Sequence, residues 1–296
     1  MNREICFCWW NTGLVPPLTK KINKPFDTVK SQRVEDVVIH LMEKTAIDIL
    51  ILAEVSHSCL SFLEKLAETV HMELITSTEK VGRINFDIAI LYEKTKLQFL
   101  EKENLVPETA SGRKLRCGTR FLFQENISHE KLTLFASHWP SRLHKSEKRI
   151  TLGQKLRENI DFIYNKKIDN VILIGDYNDQ PFSPSIVEGL EATKDIDMVK
   201  RKRKLLYNPF WRHLDKKNES HLFSGSYYHK NNDIDKWFTY DQMMFSSSFL
   251  NDKIGTWRLD IKSSHFHSDS ISKNEIGFDF LSFFDHVPIY SKIHKI

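Results

Sequence analysis

Short continuous apolar runs punctuate the chain and are separated by stretches whose apolar residues recur at helical spacing. Ile5–Trp10, Phe86–Tyr92 and Val171–Ile174 read as strands, and Ile47–Ala53 as a buried one. Met72–Thr76, Leu97–Leu100, Asp241–Phe245 and Val287–Ile293 add further strands, with Arg120–Gln124 and Leu132–Ser137 as a pair. Between them, Val34, Val37, Val38, Leu41 and Met42 mark one helix face, Ser58–Val70 fits a short helix, and Lys145–Asn165 carries a stripe of Ile150, Leu152, Leu156, Ile160 and Ile163. No repeat and no linker rich in Gly, Ser or Pro divides the chain. The pattern predicts one domain over residues 1–296, of α+β class or a four-layer sandwich.

Composition narrows the class. The 296 residues are 41% hydrophobic, and only 10 Gly and 9 Pro exclude collagen-like and low-complexity chains. No apolar window is long enough for a spanning helix and no secretory signal precedes the first strand, so the expected location is cytoplasmic, with no membrane partner. Cys6, Cys8, Cys59 and Cys117 show neither CxxC nor zinc-like spacing and are expected to be buried thiols in a reducing compartment. The net charge of +4 is mild but uneven. Lys200–Lys217 holds eight basic residues against Asp215 alone, interleaved with Tyr207, Phe210 and Trp211. Such a segment either tracks a phosphate backbone and stacks on bases or forms a solvated loop.

Polar residues of informative types stand where these strands end or begin: Asn11, Glu54, His138, Asp176 with Asn178, Asp241, and Asp285-His286. Strand ends hold side chains on a rigid scaffold while leaving them open to a ligand. Singly, each has a plain structural reading: a solvated strand end for Glu54, a packed histidine for His138, an Asx turn for Asp176 and Asn178. Their ordered combination is far less common by chance.

In that order the chain resembles the endonuclease/exonuclease/phosphatase superfamily, the deoxyribonuclease I-like hydrolases. The matching pieces are Trp10-Asn11, Leu52-Ala53-Glu54, the Phe86–Tyr92 run containing Asp87, Ser137-His138-Trp139-Pro140-Ser141-Arg142, Ile174-Gly175-Asp176-Tyr177-Asn178-Asp179, Tyr240-Asp241-Gln242 and Phe284-Asp285-His286-Val287-Pro288-Ile289. The His-Trp-Pro-Ser-Arg segment and Leu206-Tyr207-Asn208-Pro209 before Gly225-Ser226-Tyr227 look most like bacterial nuclease-like members.

The resemblance implies a four-layer α/β/β/α sandwich of two mostly antiparallel sheets flanked by helices, and hydrolysis of a phosphodiester with Mg²⁺, for which Mn²⁺ would substitute, held by Glu54 with Asn11 and Asp285. It implies that Asp176 activates the attacking water, that Asn178 donates to a phosphoryl oxygen, and that His286 and His138 stabilise the charged transition state. Asp241 is expected beside His286, and Asp87 beside His138. Arg142, Arg149 and Trp139 are the expected substrate contacts, with DNA or RNA as the substrate. Related members with the same kit act on inositol, lipid or nucleotide phosphoesters, and a silent binding module is the expectation from a different class.

Overall fold

The computed structural model describes residues 3–15, 27–109, 111–143, 146–214, 223–267 and 270–296. The calls on Lys145, Asp215, Lys216 and Lys217 lie outside the described residues.

Thirteen strands form the two large sheets among the described residues: β1 (Glu4–Asn11), β2 (Ile49–Ala53), β3 (Glu73–Ser77), β4 (Ile88–Tyr92), β5 (Leu97–Leu105), β6 (Gly118–Glu125), β7 (Lys131–His138), β8 (Val171–Asp176), β9 (Ala192–Thr193), β10 (Leu206–Tyr207), β11 (Asp241–Ser246), β12 (Trp257–Phe266) and β13 (Ile289–Lys295). The first sheet has the order β12-β13-β1-β2-β4-β3, and the second β9-β10-β11-β8-β7-β6-β5. Parallel pairing occurs at β1 with β2, β7 with β8 and β9 with β10; the other pairs are antiparallel.

Burial explains why the central strands read as unbroken apolar runs. In β8, Ile172 and Ile174 enter the core between the sheets, while Val171 and Leu173 join a separate cluster beneath helix α3 (Ser146–Asn165). That cluster takes Leu152, Leu156, Ile160 and Ile163 from the helix, so both faces of the strand are covered and neither needs polar residues. On the first sheet, helix α1 (Thr28–Lys44) buries Val34, Val37, Val38 and Leu41. It starts at Asp27, whose carboxylate accepts the Lys30 amide at 3.0 Å as an N-cap. Helix α2 (Leu60–Thr69) adds Leu63, Leu66 and Ala67. These layers are the sandwich expected from the sequence. All four cysteines are free and buried, and burial pushes the Cys6 thiol up to about 12.

The ten-residue strand β12 is absent from the sequence expectation. Its pattern is broken by a register shift between Asp260 and His265, and two serines in that bend, Ser263 and Ser264, point inward. Ser264 accepts a hydrogen bond from Ser291 at 2.8 Å, a buried polar contact that removes the alternation a reader of the sequence would look for.

Beyond β12, His267 is buried and stacks on Tyr290 with ring centroids 4.1 Å apart. Burial, aided by the charges of Lys292 and His265, pushes its pKa down from 6.5 to about 3. The unfolded chain therefore binds this proton as pH drops below 6.5, while the folded chain refuses it until about 3. Stability is expected to fall across that window by up to about 1.4 kcal/mol per pH unit from this group. His267→Gln should flatten that part of the acid slope in urea midpoints; parallel slopes in parent and variant would refute it.

Candidate active site

Strands β1, β2, β7 and β8 end at one rim of the sandwich, and β4, β11 and β13 begin there. Register brings the side chains together: Asp176 pairs with His138 on one side and with Asp241 on the other, and Asn11 pairs with Ala53, next to Glu54. Gly175 lets this happen, because a Cβ there would stand 2.1 Å from the Ser137 carbonyl oxygen. Glu54 itself adopts a left-handed backbone conformation, φ 56°, unusual for a non-glycine residue and turning its side chain out of the strand path.

Two imidazoles flank Asp176, each held by its own carboxylate. His138 Nδ1 lies 2.6 Å from Asp87 Oδ2, and His286 Nδ1 lies 2.8 Å from Asp241 Oδ2. Their Nε2 atoms stand 3.9 Å and 3.7 Å from Asp176 Oδ2, and His138 Nε2 is also 3.6 Å from Glu54 Oε1. Both expected pairings are thus present. The carboxylates are themselves anchored, Asp87 by the Arg116 guanidinium at 2.5 Å and Asp241 by the Trp9 indole N–H at 2.8 Å, which crosses from the first sheet to the second.

Burial and charge set the protonation states. Burial disfavours the His286 imidazolium, but Asp241 and Asp176 outweigh it and lift its pKa to about 10. His138 is raised in the same way by Asp87. Burial alone would raise Asp87, yet Arg116 and His138 hold it below the usual carboxylate range. For Asp176 burial wins: with Asp241 adding like charge, its pKa rises to about 6 despite the nearby histidines.

A methyl group on Gly13 would stand 2.8 Å from Lys30 Nζ, 3.8 Å from Glu54 Oε2 and 3.9 Å from Asp285 Oδ1, so the missing side chain leaves a cradle faced by two carboxylates and bordered by an ammonium. Asn11 borders the same cradle, its amide nitrogen 3.3 Å from both Glu54 Oε1 and Asp176 Oδ2. Hard oxygen donors on one side of an open cleft fit Mg²⁺ or Mn²⁺. Asp176, Asp241 and His286 also bring three ligand atoms within 4.8 Å of one another. That trio suits a metal less well: both Asp241 oxygens are already engaged, and a protonated imidazole has no lone pair to give.

Three expectations need correction. Trp139 is fully buried, packs edge-on against Tyr177 at 4.9 Å and donates its indole N–H to Cys117 O at 3.0 Å, so it has no face for a base. Arg149 is buried on α3 and ion-paired with Asp179 at 2.9 Å, where it braces the loop after β8 instead of facing substrate. Asn178 donates from its amide nitrogen to Trp139 O (3.0 Å) and to Asp176 Oδ2 (3.1 Å), which engages one amide hydrogen with the backbone and the other with the Asp176 carboxylate and leaves neither for a phosphoryl oxygen. Arg142, by contrast, is exposed at the mouth, with Nη1 3.2 Å from the Tyr240 hydroxyl.

Tyr227, not singled out as a site residue from the sequence, stacks on Tyr240 (centroids 5.2 Å, 20° between planes) and touches the His286 ring at 4.7 Å. Arg116 was missed too; it lies in a polar stretch that carries no motif. Lys200–Lys204 lie nowhere near this rim. They run from the last turn of the short helix Ile196–Arg201 to the opposite end of the second sheet, where Ser247 Oγ, just past the end of β11, donates to Arg203 O at 3.2 Å.

A family model described as "Endonuclease/Exonuclease/phosphatase family" matches residues 17–280. No curated protein matches. Among solved structures, the human Nocturnin catalytic domain with bound sulfate anion is 13% identical, covers 99% of this chain and 95% of its own, and superposes with a TM-score of 0.63. ANGEL2, a 2',3'-cyclic phosphatase in complex with adenosine-2',3'-vanadate, gives 12% identity, 99% and 96% coverage and a TM-score of 0.64. D. rerio TDP2 complexed with single strand DNA product gives 17% identity, 98% coverage of each chain and a TM-score of 0.57. At these identities the likeness is one of fold. No helix among the described residues is long and apolar enough to cross a membrane.

Proposed function

Because this chain belongs to the endonuclease/exonuclease/phosphatase family, we propose that it is a divalent-metal-dependent phosphodiesterase whose substrate is nucleic acid. The reading is carried by the two carboxylate-held imidazoles on either side of Asp176 Oδ2, within 4 Å of it. In a slot of that kind a phosphoryl group meets a base and two hydrogen-bond donors at once.

Each side chain then has a task. Glu54, with Asn11 and Asp285, would hold the cation, which when bound supplies neutralisation of charge on the phosphoryl oxygens. Asp176 takes the proton of the attacking water at Oδ2; a carboxylate with a pKa near 6 is a stronger base than an ordinary one yet is still ionised at neutral pH. Asp241 and Asp87 occupy the Nδ1 positions, so each Nε2–H points into the slot. His286, kept protonated, and His138 donate there to non-bridging oxygens as charge develops. Asn178 keeps the Asp176 carboxylate in place.

Nucleic acid is favoured by the mouth of the cleft. Arg142 supplies a guanidinium for a neighbouring phosphate, and the Tyr227–Tyr240 stack offers an aromatic edge next to His286. The test is incubation with Mg²⁺ and single- and double-stranded DNA and RNA, alongside Asp176→Ala and a chelator. Cleavage lost in both controls is expected. Hydrolysis confined to nucleotide, inositol or lipid phosphoesters would replace the substrate class, and no metal-dependent hydrolysis of any of them would overturn the reading.

A further inference from the structure

At the end of the sandwich opposite the hydrolytic rim, a cavity of about 570 Å³ opens between the start of β7 and β8, the end of α3, the turn after β11 and the start of β12. From Val171 at that end to Asp176 at the rim, β8 runs five residue steps, roughly 17 Å at about 3.3 Å each. Five cations line the cavity: Lys131, Lys167, Arg203, Lys204 and Lys253. They come from four separate stretches of chain. Among the described residues none of them forms an ion pair, and the nearby carboxylates are spent elsewhere. Glu130 is bound by Lys295 at 2.6 Å, and Asp252 by Arg258 at 2.9 Å, which leaves Asp169 as the acid in the lining.

The cations are mounted on fixed backbone. Asn170 donates to Lys131 O at 3.3 Å, Arg157 to Lys204 O at 2.9 Å, Ser247 to Arg203 O at 3.2 Å and Thr256 to Lys253 O at 2.7 Å. Lys167 sits past the end of α3 in a left-handed conformation, φ 60°, where glycine is usual. Unpaired like charges gathered in a concavity repel one another and destabilise the fold unless something answers them. Hydrogen bonds to the carbonyls of four of the five residues fix where these exposed side chains leave the backbone around the cavity.

We propose that this cavity is a second anion site, taking a compact ligand with clustered phosphate groups, separate from the hydrolytic centre. Its volume lies in the range of pockets for discrete small molecules, about 300–1,000 Å³. The cations converge on one hollow, whereas the footprint of a polynucleotide is a stripe of basic residues along a face or helix. Lysines supply point charges and Arg203 a fork, a mixture suited to several phosphates held close together. The proposal does not depend on which ester the rim hydrolyses.

The test is calorimetric titration of the metal-free full chain with inorganic tripolyphosphate. One equivalent is expected to bind, about tenfold or more weakly in Lys204→Ala/Lys253→Ala, since each charge-assisted contact contributes strongly. Lys204→Arg/Lys253→Arg should retain binding, and Arg142→Ala, at the other end, should leave it unchanged. Thermal melts and unaltered hydrolysis would show that the alanine pair is folded. Absence of binding by the parent, or equal binding by the alanine pair, would overturn the site. An unphosphorylated oligonucleotide that displaces tripolyphosphate would make the surface a nucleic-acid contact instead of a compact pocket.

Discussion

Asp176→Asn is expected to lower single-turnover hydrolysis by about 10³-fold, within the range measured for loss of a positioned general base. Asp176 accepts from the Asn178 amide at 2.8 Å, from the Asn178 side chain at 3.1 Å and from Asn11 at 3.3 Å. An asparagine can still accept the backbone N–H through its carbonyl oxygen, but its NH₂ then faces donors. Some stability is therefore lost along with the base, and rates should be compared in samples shown to be folded by a thermal melt. The effect belongs to turnover and not to affinity, because in the proposed mechanism Asp176 meets the water and not the parts of the substrate that anchor it. A folded variant whose rate stays within about tenfold of the parent would remove Asp176 from the role of base.

Glu54→Gln should shift the Mg²⁺ concentration for half-maximal activity upward by at least about 100-fold, the upper end of what even indirect partners of a ligand contribute. The substitution keeps the size of the side chain and removes its charge, and its positive φ is unaffected because both residues face the same backbone demand. His138 Nε2, 3.6 Å from Glu54 Oε1, loses a favourable neighbour as well. Partial recovery at high Mg²⁺ would locate the loss in cation binding. An unchanged Mg²⁺ requirement would take Glu54 out of the donor set.

The rim was legible in the sequence because it is written at strand ends. Trp10-Asn11, Ala53-Glu54, Ser137-His138 and Gly175-Asp176 each close an apolar run, and parallel or antiparallel registration sends all four to the same side. What escaped follows from geometry that motifs do not carry. Trp139 follows His138 directly, and successive side chains of an extended segment point to opposite faces, so a histidine in the cleft sends the tryptophan into the core under α3. The same reasoning applies to Tyr177 after Asp176, and the two rings meet there. Arg149 looks like a solvated cation on an amphipathic helix; only the packing of α3 beneath the loop after β8 reveals Asp179 and turns it inward. The Lys200–Lys217 stretch leaves a phosphate-tracking segment and a solvated loop equally open in the sequence, because charge density is visible in one dimension while the end of the sheet that receives Lys200–Lys204 is not.

The pairing of β1 with β13, Glu4 opposite His294 through Trp9 opposite Ile289, ties the earliest strand to the latest at the centre of the first sheet. Trp10 donates its indole N–H to His286 O at 2.9 Å, and Asn11 and His286 both border Asp176, so groups 275 positions apart must meet before a phosphate finds its donors. Contacts of such long sequence separation close late and slowly in folding. During synthesis, a chain that has not yet reached Asp285 would carry Glu54, Asp87, His138, Asp176 and Asp241 but neither Asp285 nor His286, and on the proposed function it would be hydrolytically inert. Gain of activity during refolding would then serve as a clock for the final long-range closure, lagging behind the helical signal of α1 and α3.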